Sequence, residues 1–241
     1  MNTLGNFYVA MEENKTDLEK ILELYQEAKQ IKYLYDEKNK LVPINRIGTI
    51  GKGVCFDHAR YQASLAKKYK LPYRCFIYVS MHGDKPYRDP KNIHDLLGLA
   101  HAICLIHVDN KYYQCNTTGH DGKELEYCDE DKLDYCLAEY IKNRTTFYTR
   151  DDVVHGITGS DVSRTVVSGL IDYYNRYRDI AGEEVYEVKD FADTKYDGMT
   201  YKKLIEYVTE NFKPYKLDPK VLETYKGKEA KYYNTWTTTV A

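Results

Sequence analysis

The stretch Gly53-Val54-Cys55-Phe56-Asp57-His58-Ala59 sets a thiol directly after a glycine-rich approach, at the head of a segment of alanines and straight-chain residues that runs to Lys70. That composition predicts a helix over 55–70, ended by Leu71-Pro72, with Cys55 in its first turn. The N–H groups and positive dipole end of a first turn stabilise anions, and such surroundings draw a cysteine from about 8.5 toward roughly 3.5–7.5. A lowered pKa makes a nucleophile. A lone cysteine before an alanine-rich helix is, taken alone, more often plain core, so the case turns on what else the chain brings to it.

Ala100 to Val108 reads as a strand, and its alternation puts His101, Ile103 and Leu105 on one face and Ala102, Cys104 and Ile106 on the other. Asp109-Asn110 is a turn pair, and Lys111 to Thr117 reads as the returning strand of a β-hairpin. A two-residue turn sets Ile103 opposite Asn116 and makes His101 the diagonal, same-face neighbour of that asparagine. Asn116 can then accept from one ring nitrogen of His101, fix its tautomer and aim the other nitrogen at a thiolate docked above the sheet. Cys55, His101 and Asn116 are therefore the candidate catalytic triad.

Over roughly Ile44 to Thr118 the chain resembles the transglutaminase-like superfamily, a branch of the papain-like cysteine hydrolases. The first motif is Gly53-Val54-Cys55-Phe56-Asp57-His58-Ala59 continuing through Leu65-Ala66 to Leu71-Pro72-Tyr73-Arg74. It is similar to the nucleophile helix of that superfamily and its following strand. The second, His101-Ala102-Ile103 through Asp109-Asn110-Lys111 to Cys115-Asn116-Thr117-Thr118, is similar to the histidine strand and the hairpin return. The superfamily more often has aspartate and then proline at Asn116, and tryptophan where this chain has Tyr112. Asparagine preserves the orientation of the imidazole by hydrogen bond but removes a charge that favours imidazolium.

The resemblance implies an α+β, papain-like fold: a nucleophile helix packed on an antiparallel sheet, with extra helices around it. It implies a cysteine-dependent amide or isopeptide hydrolase (peptidase, amidase or deamidase) working through a thioester on a protein or peptide substrate, cell-wall peptides included. Two alternatives stand beside it: transglutaminase-type acyl transfer, and an inactive binding or scaffold module of the same fold. No cofactor and no metal is expected.

Other constellations compete less well. Gly48-Thr49-Ile50-Gly51-Lys52-Gly53 evokes a phosphate loop, but Val54 stands where serine or threonine must follow a Gly-Lys pair. Cys104, His107, Cys115 and His120 have zinc-like spacings, yet alternation sends Cys104 and His107 to opposite faces. Cys104 instead faces Cys115 as a buried neighbour, and Cys128 and Cys136 read as packing residues. Asp57 is read as structural, an acid suited to a helix's first turn. His58 is read as surface or satisfied core, and Lys67, Lys68 and Lys70 as a solvated face.

The elements that must position these residues follow from periodicity. Apolar residues from Leu18 to Tyr35 recur at helical spacing behind a Thr16/Glu19 capping box, predicting a helix over 14–38. Tyr73 to Ser80 reads as a strand, and the insertion Met81 to Leu99 reads equally as a lid over the cleft or as surface decoration. Ser160 opens a helix ending near Gly182, and another spans about Thr200 to Phe212. Beyond Gly227 the tail is ordered only if it docks. The chain thus divides into a catalytic core with its N-terminal helix, 1–150, and a helical extension packed on it, 151–241.

Of 241 residues, 35 are Lys or Arg and 37 Asp or Glu, a net charge of −2 that argues against a nucleic-acid grip. Twenty-six tyrosines sit within the 43% apolar fraction, so tyrosine must build much of the interior. No apolar run approaches the roughly 20 residues that span a bilayer, and the first residues lack the basic and apolar regions of a secretory signal. A cytoplasmic protein with six mostly reduced cysteines is expected.

Overall fold

In the computed structural model of the chain, residues 15–34, 39–86, 100–117, 124–144, 182–224 and 236–238 are described. Helix α1 (Asp17–Ala28) begins at the expected capping box: Glu19 N–H donates to Thr16 Oγ1 at 3.3 Å and Thr16 N–H to the Glu19 carboxylate at 2.7 Å. It buries Ile21, Leu24, Tyr25 and Ala28 and ends there, short of the expected Lys38. The cause is tertiary. Ile31 leaves the helical course to join Val42 and Ile47 in a small cluster. The backbone after it pairs instead of coiling, as β1 (Lys32–Tyr33) lies parallel to β2 (Lys52–Gly53). Residues 35–38 of the expected helix lie outside the described residues.

The short helix α2 (Ile47–Ile50) is closed by Gly51 at φ 67°, a left-handed cap that suits glycine. Helix α3 (Cys55–Tyr69) follows and ends on Lys70, itself left-handed at φ 58°, one residue before the expected Leu71-Pro72 stop. Strands β3 (Tyr73–His82), β4 (Lys85–Pro86), β5 (Ala100–Val108), β6 (Lys111–Asn116) and β7 (Glu124–Asp129) come next. Then come α4 (Leu133–Arg144), β8 (Gly182–Glu187), α5 (Tyr201–Asn211), α6 (Pro219–Thr224) and β9 (Thr237–Thr238).

Apart from β1 and β2, these strands form one antiparallel sheet in the order β4-β3-β5-β6-β7-β9, with β8 also pairing β3. The region read as a helical extension therefore also supplies two strands, β8 beside β3 and β9 beside β7. Its expected helix from Ser160 lies outside the described residues, while α5 appears where the second was expected, with Thr200 accepting from Lys203 N–H as N-cap. Of the Met81–Leu99 insertion, Met81 to Pro86 form the β3–β4 hairpin and 87–99 are outside the described residues. The chain is thus α+β, and among the described residues no helix is long and apolar enough to cross a membrane.

Each sheet face carries its own core. On one, α1, α3 and α5 cover Ile77, Ala102, Cys104, Ile106 and Cys115; on the other, α4 and α6 cover Phe76, Tyr78, Ile103, Leu105 and Cys128. Cys128 and Cys136 pack in the second core, as expected. Ala59, Ala63 and Ala66 let α3 approach the sheet closely.

What fixes α3 in place is polar. Arg60 is fully buried; it donates to Phe191 O (3.1 Å), Val42 O (2.9 Å), Asp193 O (3.1 Å) and Asp197 Oδ1 (2.6 Å). One guanidinium thereby ties α3 to the loop after α1 and to the segment leading into α5. Replacing Arg60 with Met should lower unfolding stability by about 3–5 kcal/mol, because it strands three carbonyls and a carboxylate. Chemical denaturation against the wild type measures this.

Candidate active site

Val54 precedes α3 in extended conformation, and the helix's third residue, Asp57, turns back to it. The buried Asp57 carboxylate accepts from Val54 N–H at 3.1 Å and from Val42 N–H at 2.8 Å. A Cβ on Gly53 would lie 2.5 Å from Asp57 Cβ, so the glycine is required for the acid to fold over the approach. Asp57 thus holds the loop and the helix start, which places Cys55 in the first turn of α3 as the sequence predicts.

The hairpin turn is built as expected. Asp109 and Asn110 both take positive φ, 50° and 56°, the conformation of a two-residue turn whose twist matches its strands. Register follows from it: Val108 pairs Lys111, His107 pairs Tyr112, Ile106 pairs Tyr113 and Leu105 pairs Gln114. There the β5–β6 pairing stops. Toward its start β5 remains paired only with β3, His101 opposite Tyr78, while Cys115 and Asn116 at the end of β6 remain paired only with β7.

The strands part into a crevice of about 10 Å³, room for roughly one water. It is lined from both faces of the sheet: His58, Ala59 and Gln62 from α3, and His101, Asn116 and Thr117 from the parted strands. The structure therefore brings His101 and Asn116 to one opening. Cys55 is 2% exposed and is not among the lining residues; it lies one helical turn before Ala59, in the core of the α3 face. Strand alternation gives His101 the face of Ile103 and Leu105, opposite the face on which Cys55 is buried, so of the three predicted residues the crevice brings together His101 and Asn116 and not Cys55.

Two side chains of α3 hold that break in shape. Gln62 Nε2 donates to Cys115 O at 3.0 Å, one residue past the last paired position, and to Thr117 Oγ1 at 3.3 Å. His58 Nδ1 and Thr117 Oγ1 share a hydrogen bond of 2.7 Å. Asn116 is thereby bracketed by two clamped neighbours. His58, which the sequence reads as surface or satisfied core, is the latter, buried and hydrogen-bonded, whereas Gln62 is not singled out by the sequence reading. Their signal was spacing, since His58 and Gln62 follow Cys55 by three and seven residues and share its helix face.

Two other thiols under α3, Cys104 and Cys115, are poor nucleophiles. Burial pushes the Cys115 thiol up to about 12, and burial with the neighbouring Cys75 and Cys115 raises Cys104 well above the ordinary range. Cys104 packs in the α3 core, whereas His107 stacks on Tyr112 at 4.6 Å with Nε2 3.4 Å from Glu130 Oε1. The zinc-like set is thus split between faces, with His120 outside the described residues. Among the described residues no group of three or more His, Cys, Asp or Glu converges to hold a metal.

No protein-family model, curated protein or solved structure matches the chain.

Thr117→Val should cost about 1–3 kcal/mol, because it leaves buried groups of His58 and Gln62 without the hydroxyl they share. Thr117→Ser should stay within about 1 kcal/mol of wild type. Paired denaturation curves distinguish the two.

Proposed function

We propose that the chain is a papain-like, transglutaminase-like cysteine hydrolase of amide or isopeptide bonds, with Cys55 as nucleophile, His101 as general base and acid, and Asn116 as its orienting partner. The observation that carries the reading is the break between β5 and β6, where the nucleophile helix, His101 and Asn116 border one crevice. Cys55 gives its proton to His101, and the thiolate attacks the carbonyl carbon. The Cys55 N–H, in the first turn of α3, donates to the oxyanion. His101 then protonates the departing amine, leaving a thioester that water resolves to acid and free thiol. An amine in place of water gives acyl transfer on the same groups.

A second reading, an inactive binding or scaffold module of the same fold, is favoured by one observation, the near-complete burial of Cys55. Iodoacetamide at pH 6 with peptide mapping separates the two. A hydrolase should alkylate first at Cys55, with the rate falling by about two orders of magnitude in His101→Ala. Incubation with peptide, glutamine and isopeptide substrates should trap an acyl adduct on Cys55. A Cys55 that reacts no faster than Cys115, with no adduct from any substrate, establishes the scaffold reading instead.

A further inference from the structure

An asparagine in the third position leaves the imidazole partner without charge, and the neighbouring strand offers one. In the β6–β7 register Gln114 lies opposite Glu126 and Asn116 opposite Glu124, so Glu126 is the diagonal, same-face neighbour of Asn116. Leu125, between the two glutamates, points into the α3 core, which puts Glu126 on the face that His101 shares with Ile103 and Leu105. That diagonal placement brings the Glu126 carboxylate within reach of the Asn116 carboxamide, whose nearness lowers the carboxyl's pKa.

A carboxylate only accepts, so an Asn116 held by Glu126 turns its NH₂ to that carboxylate and leaves its Oδ1 for His101, with which it borders the crevice. We propose that Glu126 is a positioning residue that orients Asn116 and, through it, supplies the negative charge that an aspartate at position 116 would have carried. The inference rests on the triad reading above.

Further acidic groups bear on Glu126. Glu124 on its own strand and Glu139 from the covering helix α4 add negative potential. Burial, then Glu124, raise the Glu126 pKa, the Asn116 amide opposes them, and Glu139 adds to the rise. The carboxylate charge is lost as pH falls through that raised value. A His101 imidazolium on the far side of Asn116 is stabilised by this field, as a thiolate–imidazolium pair requires.

The test is the rate of Cys55 alkylation at pH 6 and its pH profile, in full-length wild type, Glu126→Gln, His101→Ala and the double variant Glu126→Gln/Asn116→Asp. Glu126→Gln keeps a group that can accept from Asn116 but removes the charge, and should slow Cys55 on the order of tenfold, one pKa unit of lost imidazolium stabilisation. The double variant should recover most of the rate, because the carboxylate then sits directly on His101. Recovery is the result a merely structural glutamate cannot produce. If His101→Ala is slow but Glu126→Gln is not, or if the loss is not recovered by Asn116→Asp, the role of Glu126 is overturned while the triad stands. If His101→Ala alkylates like wild type, the triad itself falls. Thermal melts of each variant, and Glu126→Asp should Glu126→Gln melt early, keep the comparison on folded protein.

Discussion

The early end of the β5–β6 pairing is the constraint on which the candidate site depends. An antiparallel sheet that paired to its limit would leave no opening between neighbouring strands and would keep its two faces apart. Here the backbone bonds stop at Leu105–Gln114, and the vacated acceptor on Cys115 is taken by the Gln62 carboxamide. The exchange is close to neutral in hydrogen bonds, since one amide donor replaces another. Its yield is geometric: a place in the middle of a sheet where a helix-borne group and a strand-borne imidazole border the same space.

Helix α3 can make that exchange because its buried surface is partly polar. Asp57, His58, Arg60 and Gln62 are all buried, each with a partner outside the helix: Val42, Thr117, the 191–197 segment and Cys115. Buried polar groups without partners are costly, so the neighbouring segments that satisfy them are bound to the helix as firmly as its alanines are to the sheet. Ile44 N–H donates to the same Asp197 oxygen that receives Arg60, which closes the network around the start of α3. The first turn, with Cys55 in it, is consequently fixed by directional bonds as well as by packing.

Much of this was legible in the sequence where the determinants are local. A turn pair with two positive φ residues, a capping box and an alanine-rich helix after glycine each specify their own geometry. The hairpin register next to the turn followed from Asp109-Asn110 alone, but the expected pairing of Ile103 with Asn116 is not made, because the strands part beyond Leu105–Gln114. What escaped depends on distant partners. The course of Ile31 is decided by Val42 and Ile47, so the helical periodicity that counted Ile31 ran past the true end at Ala28. Glu183, Glu184 and Glu187 disguise β8, a strand whose place is set by its pairing with β3. Arg60 reads as an ordinary helix cation until the carbonyls of Phe191 and Asp193 arrive beside it. Glu126 matters only because β7 lies beside β6, a neighbour relation no local pattern announces.

The two-residue strand β9 has a bearing on solubility. Thr237 and Thr238 pair with Tyr127 and Glu126, covering part of the outer margin of β7. Uncovered, that margin presents a row of backbone donors and acceptors ready to template another chain, the usual route to edge-to-edge association. Proteolytic loss of these few C-terminal residues thus exposes a sticky border one strand away from the crevice.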